Sequence, residues 1–303
     1  MIYTITLNPS IDYVIEVEGF EEGTINRANK THYYPGGKGI NVSRVLKRLG
    51  ADTKALGFAA GFTGNFIKEK LIEEQVAVRL LEVDGHSRIN VKLKAYKETE
   101  INGTGPLVDD DAVKRLLQQL NQLSSEDIVV LAGSIPSTVP SNIYETLIQK
   151  CQQHGAKVVM DTGGQTLKSL LSYKPFLIKP NHHELGDLFD VTIQSQGDVI
   201  HYAGKIHKQG VENVVVSMAG EGAILYTRDG VYSAKAPDGK VKNSVGAGDS
   251  LVAGFLVGYV NSRKSEEALR YGIASGSATA FSHDLCEKTD VNRLINLVKI
   301  EKL

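Results

Sequence analysis

The 303-residue sequence predicts an α/β fold, a doubly wound and mainly parallel β-sheet flanked by helices, with a small separate β-sheet lid. Three observations predict it. From residue 40 onward, short apolar runs rich in β-branched residues alternate with amphipathic helical stretches, as in βαβ units around a parallel sheet. Two further stretches alternate polar and apolar residues with period two, as strands of a half-exposed sheet do. No Pro/Ser-rich spacer, solenoid repeat or low-complexity tract divides the chain, so one domain is expected over residues 1–303.

Taken in order, DYVIEV near the start is the first period-two segment. INVSRVLKRLG reads as a helix ended by Gly50, KALGFAA as a strand and NFIKEKLIEEQ as a helix. SRINVKLKAYKETEING, residues 87–103, is the second period-two segment. DDDAVKRLLQQLNQL is a helix, DIVVLAG a buried strand, and SNIYETLIQKCQQHG a helix stopped by Gly155. KVVMD and FLIKPN read as strands, the second running into HHELGDLFD. VVVSMAG is another strand, and AILYTRDGVYSAKA a hairpin turning at Asp229-Gly230, before three helical segments from about Gly248. The lid is assigned to about 10–35 and 87–103. Ligands of doubly wound sheets sit outside the carboxyl ends of the strands, so the lid is expected to hang there.

Composition removes several classes of function. With 34 basic and 35 acidic residues the chain offers no electrostatic footprint for nucleic acid or an anionic membrane. Cys151 and Cys286 are its two cysteines, too few and too far apart to indicate a disulfide framework or a Cys-based zinc site. The opening MIYTITLNPSIDYVIEV lacks a basic leader and a continuous apolar core, and the longest apolar run, LVAGFLVGYV, is too short to span a bilayer. A cytoplasmic protein acting on small molecules is expected. There is no G-x-x-x-x-G-K-[ST]; Leu251 stands where a dinucleotide fingerprint needs its third glycine; Asp187 stands where a zinc peptidase needs its second histidine. His182 and His183 are expected at the surface.

Five stretches can carry chemistry. In NSVGAGDS, residues 243–250, small residues open an apolar helix, where unpaired N–H groups and the helix dipole attract an anion. Asp249 would repel that anion, which suits a site that also removes a proton; a glycine turn with an acid near the cap satisfies the same letters. In YPGGKGINVS, Gly36, Gly37 and Gly39 surround Lys38, and Asn41 lies one turn into the helix; this is a ligand loop or an ordinary Pro-Gly turn. NHHE has capping-box spacing between Asn181 and Glu184, and the same pair could order waters around Mg²⁺. SMAGEG, residues 217–222, is a loop whose backbone could meet a nucleotide. Arg88, Asn90 and Lys92 fall on one face of a strand, three donors for a phosphate or a solvated face.

Together LNPSIDY, GGKGINVSRVL, SRINVKL, LAGSIP, KPNHHEL, VSMAGEGA and NSVGAGDS, in this order over residues 7–250, resemble the PfkB/ribokinase family of sugar kinases. The resemblance implies a ribokinase-like fold, ATP and Mg²⁺ as cofactors, and phosphorylation of a hydroxyl on a small molecule. It makes Asp249 the catalytic base and the amides of Gly246, Ala247 and Gly248 an anion hole. It gives the nucleotide to Ser217, Met218, Ala219, Gly220, Glu221 and Gly222, with Gly248 and Asn181, and it has Glu184 hold Mg²⁺ through water. Asp12, Gly37, Lys38 and Asn41 would hold the sugar, with Arg88 and Asn90 from the lid. LNPSIDY and TEINGTGP resemble the branch whose sugars already carry a phosphate. RINVKL points to fructose 1-phosphate, with tagatose 6-phosphate as the alternative. A homodimer through the lid is expected. A non-catalytic sugar-phosphate sensor on this fold is the rival class, one with no need of the Asp249 carboxylate.

Overall fold

The computed structural model describes residues 1–303. Its strands are β1 (Ile2–Thr6), β2 (Ser10–Glu16), β3 (Lys30–Gly36), β4 (Thr53–Ala59), β5 (Ala77–Glu82), β6 (Arg88–Lys94), β7 (Glu98–Asn102), β8 (Ile128–Ala132), β9 (Lys157–Asp161), β10 (Leu177–Ile178), β11 (Asn213–Ser217), β12 (Ala223–Thr227), β13 (Gly230–Ala234) and β14 (Ile300–Lys302). Its helices are α1 (Lys38–Arg48), α2 (Gly61–Glu73), α3 (Asp110–Gln119), α4 (Ile143–Gln153), α5 (Gly164–Leu170), α6 (His182–Phe189), α7 (Gln196–His207), α8 (Ala247–Ser262), α9 (Ser265–Ala280) and α10 (Lys288–Leu294).

The main sheet has ten strands in the order β14-β13-β12-β11-β10-β9-β8-β1-β4-β5. It is parallel from β5 through β11 and antiparallel over β12, β13 and β14. Strand pleating sends alternate residues to two helical layers. In β8, Val129 and Leu131 pack beneath α3–α7, while Ile128, Val130 and Ala132 pack beneath α1, α8, α9 and α10. Helix α8 is apolar nearly all round because it is enclosed between the sheet and α9. No helix is long and apolar enough to cross a membrane.

The second sheet, in the order β3-β2-β6-β7, is the expected lid. Register makes it two-faced: Tyr34, Asp12, Asn90 and Asn102 form one cross-strand row, and Tyr33, Tyr13, Val91 and Ile101 the next. The period-two segment 87–103 forms two antiparallel strands, β6 and β7, joined by a turn at 95–97.

Several boundaries differ from the sequence reading, each for a local reason. Helix α1 begins at Lys38, before INVSRVL, because β3 ends at Gly36 and Gly37, rather than a polar side chain, caps the helix. Helix α2 begins at Gly61, and β10 shrinks to two residues because Pro180 follows Lys179 and cannot donate to a ladder. The sequence reading passed over β1, β5, β14, α5 and α7. In β1 the outward-reading Thr4 is fully buried and its hydroxyl bonds Ser43 at 2.7 Å, so a polar letter occupies a core position. His183 is exposed as expected, but His182 is half-buried and its Nδ1 is enclosed without a partner.

Candidate active site

The predicted residues meet where the carboxyl ends of β1, β8, β9 and β10 face the amino ends of α1 and α8. Gly37 makes the turn from β3 into α1 at φ 102°, a conformation that favours glycine. A Cβ there would lie 3.0 Å from Thr6 Cγ2 and 3.2 Å from Pro9 Cα, so the loop must lie flat on the β1–β2 connection. The first residue of α1, Lys38, then donates to Asp161 Oδ1 at the end of β9 (2.9 Å). One turn further, Asn41 Nδ2 donates to Asp249 Oδ2 at 2.8 Å.

Asp249 is the third residue of α8, whose N-cap Gly246 is left-handed at φ 77°. The amides of Gly246, Gly248 and Asp249 make no hydrogen bond within the chain, while that of Ala247 is drawn to the Ser244 carbonyl at 3.3 Å. Such free N–H groups at a helix start are an anion site. A Cβ on Gly248 would lie 3.2 Å from Lys179 Nζ, which places a cation beside them.

The charges form one coupled set. Asp161, 1% exposed, accepts from Lys38 and stands 3.5 Å from Lys179, while its Oδ2 is buried without a partner. Burial works against the Asp161 charge, but Lys179 and Lys38 outweigh it and hold the carboxyl below its usual range. Burial likewise opposes the Lys38 charge, yet Asp161 and then Asp249 raise its affinity for the proton. Asp249 goes the other way: burial first, then the Asp161 charge, push its carboxyl up to about 6 against the pull of Lys38 and Asn41. A carboxylate so tuned exchanges a proton near neutral pH.

A cavity of about 610 Å³ opens beside this set, with Thr6, Asn8, Gly37, Lys38, Arg88, Asn102 and Ser134 in its wall. Arg88 is anchored by a bond from Nε to the Asn8 carbonyl at 3.1 Å. The other lid candidates do not line it. Asn90 donates to Asp12 Oδ1 (3.1 Å), which also accepts from Ser10 (2.8 Å), and Lys92 is buried against Glu100 at 2.9 Å. The three donors share a face as expected, but that face is neither solvated nor uniformly open to a ligand.

At the loop expected to meet a nucleotide, β11 ends at Ser217, which is bridged to Asn181, and the Met218 amide bonds the Gly222 carbonyl at 2.8 Å to close the loop. Ala219, Gly220 and Glu221 are exposed on a short 3₁₀ turn. Asn181 and Glu184 do form the capping box: Glu184 N–H donates to Asn181 Oδ1 (2.9 Å), and Asn181 N–H donates to Glu184 Oε2 (2.8 Å). Sequence reasoning missed Asp161 and Lys179. The signal was present, since each ends an apolar strand run at the carboxyl edge where doubly wound sheets hold ligands.

A family model described as pfkB family carbohydrate kinase matches residues 5–291. The chain is 52% identical over 303 residues to 1-phosphofructokinase of Bacillus subtilis (strain 168), covering 100% of both chains. It is 35% identical over 304 residues to D-tagatose-1-phosphate kinase of Bacillus licheniformis, again covering 100% of both. Among solved structures, phosphofructokinase-2 from Escherichia coli in complex with substrates and products superposes with a TM-score of 0.94 at 29% identity, over 98% of each chain.

Proposed function

The chain belongs to the pfkB family of carbohydrate kinases, and from that premise we propose that it transfers the γ-phosphate of ATP to the C6 hydroxyl of fructose 1-phosphate, giving fructose 1,6-bisphosphate and ADP. The observation that carries the chemistry is Asp249, a buried carboxyl pushed up to about 6 and set among the free amides of α8. The full-length likeness to a 1-phosphofructokinase supports the choice of sugar.

Transfer is direct. The sugar's own phosphate lies against Arg88 and its hydroxyls against Asp12 and Asn41, with Gly37 and Lys38 shaping the wall and Asn90 acting from behind by holding the Asp12 carboxylate. Asn41 fixes the Asp249 carboxylate, which takes the proton of the C6 hydroxyl as the O6–P bond forms and the bond from Pγ to the ADP oxygen breaks. Amides of Gly246 and Gly248 hold the γ-phosphoryl oxygens, joined by that of Ala247 once the phosphate displaces its long bond to the Ser244 carbonyl, and Lys179 and Lys38 offset their charge. Phosphoryl transfer is mostly positioning and charge stabilisation, so these donors outweigh the base. The loop Ser217–Gly222 and Asn181 hold the nucleotide.

The site suits Mg²⁺: Asp161 Oδ2 is an orphaned buried acceptor, and the capping bond engages only Oε2 of Glu184. Glu184 would hold the ion through water, with Asp161 as the second carboxylate. Bound there, the ion would neutralise charge across the ATP phosphates.

A second reading, D-tagatose 1-phosphate as the acceptor, is favoured by the full-length relative that carries that name. A coupled assay against fructose 1-phosphate, tagatose 1-phosphate, tagatose 6-phosphate, fructose 6-phosphate and fructose decides between them. The highest kcat/KM is expected for fructose 1-phosphate. A higher value for either tagatose phosphate moves the assignment, and comparable turnover of unphosphorylated fructose ends it.

A further inference from the structure

The turn that caps α8 is backed from below. A Cβ on Gly246 would lie 2.5 Å from Leu285 Cδ2. Leu285 belongs to the connection 281–287 between α9 and α10, which is stitched to the chain around α8's start. The amides of Lys242 and Asn243 donate to the Ala280 carbonyl (2.8 and 3.2 Å). The Cys286 amide donates to Thr279 Oγ1 (2.9 Å), whose hydroxyl donates to Ser250 Oγ (2.7 Å).

From the opposite side two arginines of α1 grip the same connection. Arg44, 2% exposed, donates to Asp284 through Nη1 (3.2 Å) and Nη2 (2.7 Å). Arg48 donates to Asp284 Oδ2 (2.9 Å) and to the Leu285 carbonyl (2.6 Å). Both also hold Glu74 at the end of α2, and Arg44 Nη1 reaches the Pro35 carbonyl of lid strand β3 at 3.4 Å. Asp12, Asn41, Arg44, Asp284 and Leu285 line one narrow cleft of about 30 Å³. A buried guanidinium is tolerated only when paired; Arg44 and Asp284 hold each other through two bonds on the Gly246 side, while Glu74 ties the same arginine to α2 on the other.

We propose that the Arg44–Asp284–Arg48 network is a positioning device for phosphoryl transfer: it presses residues 281–287 against Gly246 and so sets the α8 amides relative to the Asn41–Asp249 pair. Helix α1 holds both halves, because Asn41 orients the carboxylate and Arg44 and Arg48, one and two turns later, orient the residue behind the amides. Asp284 lines the same cleft as Asp12 and Asn41 but spends both carboxylate oxygens on Arg44 and Arg48, and so acts through Leu285. The inference rests on the reading of α8's start as the γ-phosphate site.

The test compares Asp284→Asn with Glu74→Gln, which unpairs the same arginines on the side away from Gly246. A misplacement on the order of 1 Å costs up to about 10²-fold, so Asp284→Asn should lose about tenfold or more in kcat. KM for ATP and for the sugar phosphate should stay within about twofold, and Asp284→Glu should regain part of the rate. Glu74→Gln should lower Tm as much yet keep kcat within about twofold of wild type. Should Asp284→Asn fail to fold, Leu285→Ala removes the backing and leaves the ion network, and the same kcat loss is expected. Equal kcat losses in Asp284→Asn and Glu74→Gln, or wild-type kcat in Asp284→Asn or Leu285→Ala, overturn the proposal. An Asp249→Asn enzyme as active as wild type overturns the underlying reading and takes this one with it. With Asp249 essential, the Asp284 result bears on the network alone.

Discussion

Asp249 must be buried and yet charged at the moment it is needed, and both demands can be measured. Its carboxyl is pushed up to about 6 by burial and by Asp161. Below that pH it holds the proton it should accept, so kcat/KM should rise as pH climbs through 6 and be lost as pH falls. Asp249→Asn keeps the size and the bond from Asn41 but cannot take a proton; kcat should drop by roughly 10²–10⁴. Linkage gives a readout free of catalysis. A raised folded value means the native state binds the proton more tightly than the unfolded chain, so stability falls as pH rises from 3.8 to about 6. Asp249→Asn should therefore melt a few degrees above wild type at pH 8 and level with it near pH 4. An asparagine variant that is destabilised at pH 8 would show that the charge is not strained. Arg88 tests the sugar side. Loss of one charge-assisted bond is worth about 1.5–3 kcal/mol, so Arg88→Ala should raise KM for the sugar phosphate tenfold or more and leave KM for ATP unchanged. An unchanged sugar-phosphate KM removes Arg88 from the site. Asp249, Asn41 and Arg88 were legible because each sits in a motif with its own local logic. For Asp161 and Lys179 the sequence shows only that each is a lone charge at a strand end; their pairing was not legible, because only the sheet order brings β9 and β10 side by side.

Helix α8 works through what its first turn lacks. Gly246 supplies a left-handed turn and Gly248 a bare backbone, so the amides that open the helix stay uncovered. Gly248→Val would place Cβ 3.2 Å from Lys179 Nζ and a branched side chain over those amides. Both KM for ATP and kcat should suffer, whereas Asp249→Asn should change kcat alone; a valine variant with normal ATP KM would mean the phosphates approach from elsewhere. Helices with a strong period, such as α3 and α4, and strands with continuous apolar runs, such as β8, β9 and β11, were readable because burial and local pattern agree. β5 was not, since AVRLLE at the sheet edge is half-exposed, and α5, seven residues long, is too brief for a helical period to register. The lid's pairing was hidden for another reason. β2 and β6 are parallel neighbours separated by more than seventy residues, and alternation shows a face without naming its partner.

At the scale of the molecule, the lid poses the question the single chain does not answer. The doubly wound core was legible because βαβ alternation dictates layers on both faces of the sheet, and those layers are present. The four-stranded lid is backed only at its base, where Ile11 packs on α2 and Tyr33 meets Phe66 edge-on. Its inner rows bring Ser10, Asp12, Arg88 and Asn90 toward the site, while its outer row runs Tyr33, Tyr13, Val91, Ile101, with Tyr33 54% and Ile101 62% exposed and the two tyrosine rings stacked at 4.5 Å. The part of this apolar row that α2 leaves exposed calls for cover, and a second copy of the same face satisfies it through a two-fold axis, each lid packing on its partner. We therefore expect a homodimer joined through the lids. Sedimentation equilibrium at micromolar concentration should return twice the 32.9 kDa chain mass. Tyr33→Lys with Ile101→Lys puts two cations into the centre of such an interface and should yield monomer. Both positions lie on the face away from Arg88, so the variant should still fold and bind ATP. Because the lid's inner residues are held in register by the same strands, losing the support behind them should raise KM for the sugar phosphate severalfold without touching Asp249. A wild-type monomer with full activity at that concentration would show that the outer face is left to water, and that the strands of the lid carry Arg88 to the site unaided.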